Sequence, residues 1–201
     1  MKTILQVNAS ILGNEGQSTR LANEFVALLD ADEVVVRDLA KEPVPHLDAE
    51  RFGAFLSKPE SRTEKQKAVL LYSDSLIDEL RRADTIVLGL PMYNFGLPST
   101  LKAYFDHVAR AGVTFRYTEN GPAGLLKGKE VHVFATRGGL YAGTPRDTQT
   151  GYVRDFLRFI GIDRVHFVYA EGLNMGAARK DEALASARAA IDRRIAEPMV
   201  A

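Results

Sequence analysis

Met92, Tyr93, Asn94 and Phe95 place two aromatic rings, a thioether and an amide side by side, between an apolar run and a helix-like segment. A loop of that composition suits a flat, partly apolar ligand with polar ring edges. Ile86 to Leu90 reads as a strand buried on both faces, ending at Pro91, which cannot donate to a sheet ladder. Gly96 can take a positive φ without steric cost, and Pro98 stands where a helix would have its first residue. Leu101, Tyr104, Phe105 and Val108 then follow at helical spacing. The group therefore lies at the C-terminal end of a buried strand, the edge where open α/β sheets bind ligands. The same residues also describe an ordinary strand-to-helix loop whose aromatics plug the core.

Two further loops carry groups of the same kind. Asn8 to Thr19 brings Ser10, Gly16, Gln17, Ser18 and Thr19 to the start of a helix. Hydroxyls and backbone N–H groups at that end of a helix favour an anion. The loop has no lysine and the chain has no GxxxxGK[ST], which argues against a nucleoside-triphosphate site. Neutral donors suffice for a phosphate monoester that stays bound and is never cleaved. Ser18 taken alone reads more simply as a helix cap. The other loop, Thr136-Arg137-Gly138-Gly139, follows a fourth strand, and its paired glycines let a ligand approach the backbone closely.

Other chemistries find little support. There is no cysteine, so thiolate nucleophiles, disulfides and zinc–thiolate sites are excluded. His132 and His166 fall within strands and His107 near a helix end; no histidine pair has metal-ligand spacing, and neither GxSxG nor HExxH is present.

The elements that must position these loops alternate along the chain. Strands are expected at Ile4–Asn8, Val34–Val36, Ile86–Leu90, Glu130–Ala135 and Arg164–Tyr169. Helical stripes stand between them, including Leu21, Phe25, Leu28 and Leu29, then Val69, Tyr72, Leu76 and Leu80, and finally Leu184, Ala187, Ile191 and Ile195. Residues 40–62 form a long, partly helical excursion with Phe52, Phe55 and Leu56, and residues 114–127 a structured loop with a turn signal at Asn120-Gly121-Pro122. Five strands alternating with helices give a doubly wound α/β sheet, five-stranded and parallel, with helices on both faces. The order 2-1-3-4-5 puts its switch point between strands 1 and 3, so the loops after them share one crevice.

At 201 residues the chain is expected to be one domain, 1–201. Its 26 Lys and Arg balance 26 Asp and Glu, which argues against nucleic acid or an anionic membrane as a partner. The absence of cysteine, of a signal-peptide pattern and of a long apolar run fits a cytoplasmic protein.

Taken together, the loops resemble those of the FMN-dependent NADH-azoreductases, within the flavodoxin-like quinone reductase superfamily. The match runs nearly end to end. It rests on Asn8-Ala-Ser10, Gln17-Ser18-Thr19, Pro91-Met-Tyr-Asn-Phe-Gly-Leu-Pro-Ser99 with Leu101-Lys-Ala-Tyr-Phe-Asp106, Thr114-Phe-Arg-Tyr-Thr-Glu-Asn-Gly-Pro122, and Arg137-Gly-Gly139. The resemblance implies non-covalent FMN, with its phosphate held by Ser10 and Gly16, Gln17 and Ser18. Met92, Tyr93, Asn94 and Phe95 would border the isoalloxazine, and Thr136, Arg137, Gly138 and Gly139 would meet its pyrimidine edge. Many relatives have serine where this chain has Thr136, which keeps the hydroxyl.

The resemblance further implies ping-pong hydride transfer from NADH to a quinone or azo compound. That agrees with a chain in which no catalytic acid, base or nucleophile stands out, since the flavin supplies the hard chemistry. Backbone N–H groups of Asn94 and Gly138–Gly139 are expected to stabilise negative charge on the ring. A homodimer is implied, with residues 45–60 and the Thr114–Pro122 loop near the partner's flavin. The alternative is a flavodoxin-type one-electron carrier; carriers of that sort usually present a strongly acidic docking face, which this charge-balanced chain lacks. A flavin-free α/β module is a third reading, and it would purify colourless.

Overall fold

The computed structural model describes residues 1–196; residues 197–201, the end of the expected 1–201 domain, lie outside the described residues. In chain order the elements are β1 (Thr3–Asn8), α1 (Gln17–Ala27), β2 (Glu33–Asp38), α2 (Ala49–Leu56), α3 (Glu64–Arg82), β3 (Thr85–Pro91) and α4 (Ser99–Val108). Then come β4 (Phe115–Thr118), β5 (Gly121–Gly124), β6 (Glu130–Thr136), α5 (Thr150–Ile160), β7 (Arg164–Ala170) and α6 (Ala177–Ala196). β2-β1-β3-β6-β7 form one parallel sheet in that order. This is the 2-1-3-4-5 arrangement, counting the strands of the main sheet alone.

β1, β3 and β6 are buried at every position, as central strands covered on both faces must be. On one face Leu5, Val7, Leu88 and Val133 pack with Leu76, Ile77, Leu101, Tyr104, Val153 and Leu157 of α3, α4 and α5. On the other, Ile4, Val87 and Phe134 pack with Leu21 and Phe25 of α1 and Leu184, Ala187 and Ile191 of α6. Both faces are closed by helices, and no described helix is long and apolar enough to cross a membrane.

Local chemistry accounts for most boundaries. α3 opens with a capping box, the Thr63 hydroxyl accepting from Gln66 N–H while the Gln66 side chain accepts from Thr63 N–H. Asp48 caps α2 through Arg51 N–H at 2.8 Å, and α5 ends on Gly161 in the left-handed conformation. Three expectations change. α1 is capped by the backbone of Gly16, so Ser18 lies inside the first turn and is not the cap. Leu28 follows the helix end and is 54% exposed, so it leaves the apolar face. Pro98 is the residue before α4 and not its first residue.

Residues 115–124 are a two-stranded antiparallel hairpin and not a loop. The second strand, Gly-Pro-Ala-Gly, has almost no intrinsic strand preference, and pairing with Phe115–Thr118 decides it. Gly124 rests directly on the backbone of Gly161, where a Cβ would lie 2.0 Å from the Gly161 nitrogen. The hairpin is thereby anchored to the end of α5.

At the opposite end of the sheet His132 packs on Phe25, ring centroids 4.6 Å apart, and stacks on His166 at 5.3 Å. Glu130 accepts from Arg194 and lies 2.9 Å from His166 Nε2 and 3.7 Å from His132 Nε2. Burial pushes His132 down to about 4, against the opposing pull of Glu130. Between that value and the ordinary 6.5 the unfolded chain binds the extra proton, so stability falls as pH drops across this window. The expected slope for one proton is about 1.4 kcal/mol per pH unit. Glu130, held below the ordinary carboxylate range despite its burial by His132 and Arg194, acts in the same sense at lower pH. Denaturant unfolding over this range should show the loss in the wild type and a flatter profile in His132→Leu. Equal slopes would remove His132 from this role.

Candidate active site

The loops after β1, β3, β6 and β7 meet at the C-terminal edge of the sheet around a cleft of about 350 Å³. It lies where the strand order reverses between β1 and β3, and its size falls within the roughly 300–1,000 Å³ of small-molecule sites. Ser10, Gly16, Gln17, Met92, Tyr93, Thr136, Arg137 and Gly138 line it.

On the β1 side, Ser10 is buried and its Oγ accepts from Leu12 N–H at 3.2 Å. Gly16 is pressed against it, since a Cβ there would lie 2.1 Å from Ser10 Oγ. The N–H groups of Gln17, Ser18 and Thr19, at the open end of α1, have no partner among the described residues. Ser18 lies beneath the cleft wall, and its hydroxyl and that of Thr19 are fully buried without a hydrogen-bond partner.

On the β3 side, the chain turns tightly, Tyr93 and Gly96 exchanging backbone hydrogen bonds of 3.2 and 2.9 Å. The left-handed residues of this turn are Asn94 (φ 49°) and Phe95 (φ 62°), not Gly96. That is the pattern of a type I′ turn. It is cheap for asparagine but costs a phenylalanine roughly 1–2 kcal/mol, a strain characteristic of functional loops. Met92 N–H is engaged with Thr136 O at 2.9 Å, whereas the N–H of Asn94 has no partner among the described residues. Asn94 and Phe95 are exposed and, unlike Met92 and Tyr93, do not line the cleft. Tyr93 Oη accepts from Ile11 N–H at 3.2 Å and lies 3.3 Å from Ser10 Oγ, joining the first two loops.

On the β6 side, Arg137 offers the cleft its backbone, while its guanidinium is fully buried behind it. Nη2 donates to Asp147 at 2.7 Å and Thr150 at 3.1 Å, Nη1 donates to Glu171 at 3.1 Å, and the group lies over the ring of Tyr169. Burial works to raise the Asp147 carboxyl, but Arg137 and Thr150 hold it below the ordinary range. Glu171 also accepts from the N–H groups of Tyr141 and Ala142, each at 2.9 Å, which folds the loop after Gly139 back. Gly139 faces the Tyr141 phenol, whose oxygen lies 2.6 Å from where a Cβ would be. The N–H groups of Gly138 and Gly139 have no partner among the described residues.

The sequence reading did not include the loop after β7. Leu173 and Asn174 line the cleft with Lys180 of α6, and their N–H groups bond to Arg137 O and Gly138 O. Gly172 and Gly176, both at positive φ, were the available signal, together with the position after a strand of the same sheet edge. Lys180 has no ion pair among the described residues.

This cleft at the switch point of a five-stranded parallel sheet defines a flavodoxin-type α/β protein. The flavodoxin-like fold family matches residues 2–195, and the chain belongs to it. A protein of Cellvibrio japonicus named FMN-dependent NADH:quinone oxidoreductase is 57% identical over 98% of this chain and 100% of its own length. One of Burkholderia lata, FMN-dependent NADH:quinone oxidoreductase 6, is 56% identical over 95% and 98%. Among solved structures, an FMN-dependent NADH-azoreductase from Bacillus anthracis in complex with FMN is similar with a TM-score of 0.86 at 26% identity, over 98% of both chains. Another azoreductase from Bacillus anthracis reaches 0.88 at 27%, over 98% of this chain and 100% of its own.

Proposed function

We propose that the chain is an FMN-dependent NADH:quinone oxidoreductase that also reduces aromatic azo compounds. The observation that carries this is the meeting of the predicted loops in one cleft, in a chain matched over its length by relatives bearing that name. The residues present fit FMN. Ser10, Gly16, Gln17 and Ser18 form a neutral phosphate cradle in which the hydroxyls of Ser18 and Thr19 are buried and unpartnered. Met92, Tyr93, Asn94 and Phe95 supply the wall for the ring system, and in the loop Thr136, Arg137, Gly138 and Gly139 the unpaired N–H groups of Gly138 and Gly139 supply backbone donors for its polar edge. When bound, the cofactor supplies two-electron hydride chemistry between NADH and a quinone or azo acceptor. The protein binds, orients and excludes water, and unpaired N–H groups at Asn94, Gly138 and Gly139 place positive dipoles where negative charge develops.

A homodimer completes the site. On α2, Phe52 is 52% exposed and Leu56 68%, and on the hairpin Tyr117 is 76% exposed. Apolar groups in such positions mark interfaces. Phe55 instead turns inward, its ring edge-on to His107 at 6.0 Å and under the Arg110 guanidinium at 5.2 Å. The face offered to a second copy is therefore Phe52 and Leu56. The protein acts as one cytoplasmic FMN-binding domain. A one-electron carrier is not favoured, since the full-length relatives are named as NADH:quinone oxidoreductases and no acidic excess is present.

The direct test is steady-state NADH oxidation with a small quinone by yellow, freshly purified protein. Parallel initial-rate lines on varying both substrates are expected. Colourless protein that takes up no FMN, or flavoprotein without quinone turnover, overturns the reading. Lys180 adds the cleft's unpaired cation, and Lys180→Ala should weaken FMN about fivefold and flatten its salt dependence. Riboflavin, which lacks the phosphate, should bind unchanged in fluorescence titrations; an equal loss for both ligands would place Lys180 elsewhere than at the phosphate.

A further inference from the structure

Gln149 lies just before α5, fully buried, outside every loop that the sequence singles out. Its Nε2 donates to Pro91 O at 3.0 Å and to Gly96 O at 2.9 Å. These carbonyls stand immediately before and after Met92–Phe95. Both hydrogens of the amide are used, and its Oε1 has no partner. The reversed amide would set that oxygen against two carbonyl oxygens, so only one orientation is stable.

Its neighbours work in the same direction. The Thr148 hydroxyl donates to Phe95 O, and Asp147 and Thr150 hold the Arg137 guanidinium. Four consecutive residues thus tie the turn after β3 to the loop after β6. The turn needs such a brace, because Asn94 and Phe95 both adopt the left-handed conformation that side chains disfavour.

We propose that Gln149 is a positioning residue for flavin reduction. It holds the Met92–Phe95 turn so that the free N–H of Asn94 faces the same ligand edge as those of Gly138 and Gly139. This deepens the FMN reading and rests on it. The amide acts through the backbone it braces and does not itself reach the ligand.

Gln149→Leu and Gln149→Glu test it. Leucine leaves two buried carbonyls without a donor. Glutamate keeps the shape but faces both carbonyls with acceptors until it is protonated, when it regains one donor; burial favours that neutral form. In Gln149→Leu the FMN dissociation constant should rise about tenfold. The flavin midpoint potential should fall, and exchange of the hydrogen-bonded amides of Tyr93 and Gly96 should accelerate in cofactor-free protein. In Gln149→Glu the same changes should appear at high pH and recede on acidification, while the wild type shows no such pH dependence. If Gln149→Leu fails to fold, the high- and low-pH forms of Gln149→Glu make the comparison within one protein. Unaltered FMN affinity, potential and exchange in a variant that only melts earlier would overturn the proposal, leaving Gln149 as core filling. If the wild type takes up no FMN, the FMN reading falls with the positioning role, whereas faster exchange in the variants would still identify the brace.

Discussion

Gly16→Ala is expected to yield a folded protein that has lost FMN. Gly16 has φ −69° and ψ 133°, values open to alanine, so the substitution is neutral for the backbone. The obstacle is space alone: the new methyl would lie 2.1 Å from Ser10 Oγ and 2.6 Å from Ser10 Cβ. Ser10 is 1% exposed and has nowhere to go without breaking its bond to Leu12 N–H and its contact with Tyr93 Oη. The strand-1 loop must then shift away from the open N–H groups of α1. Losing two hydrogen bonds to a charged phosphate, at roughly 1.5–3 kcal/mol each, weakens FMN by about 100-fold or more. Titration of cofactor-free protein measures this directly, and a circular dichroism melt confirms the fold. Alanine with wild-type FMN affinity would show that the phosphate does not sit against Ser10 and Gly16.

On the proposed dimer, the pair Phe52→Asp and Leu56→Asp, made together, should separate the two copies and depress turnover far more than cofactor binding. Both side chains lie on α2 and are more than half exposed, 52% and 68%, so the fold should tolerate the change. Across an interface they would instead bury two unpaired carboxylates, each costing several kcal/mol. Sedimentation should shift to monomer and quinone reduction should fall by roughly tenfold or more, because the cleft would lose the cover proposed for its open side. FMN affinity, set by loops within one chain, should change by no more than about threefold. A wild type that sediments as a fully active monomer would refute the interface. Phe55→Asp is the poorer probe, since Phe55 packs on His107 and Arg110 within the same chain and its loss disturbs the fold itself.

What the sequence made legible in the candidate site is local backbone chemistry. Gly16 announces close approach, Pro91 ends a strand, and the Gly138-Gly139 pair marks exposed backbone. Phe95 was harder to read: a phenylalanine at φ 62° contradicts its own preference, and nothing within residues 92–96 reveals that Gln149 and Thr148 hold it there. The resemblance places Arg137 at the ligand's polar edge, yet its guanidinium is turned away and spent on Asp147, Glu171 and Thr150. Those partners lie 10 to 34 residues away along the chain, beyond the reach of any motif.

By itself the sequence determined the alternation of buried strands and amphipathic helices, because short continuous apolar runs and period-3.6 stripes are written residue by residue. Through the resemblance of its loops, it also determined the cofactor class. Tertiary structure decided what depends on contacts between distant segments. It paired Gly-Pro-Ala-Gly into a hairpin, brought the loop after β7 into the cleft, turned Phe55 inward while leaving Phe52 and Leu56 outside, and put Gln149 behind the turn. Each of these outcomes is set by which surfaces meet once the sheet has formed, and a one-dimensional pattern does not record that free energy.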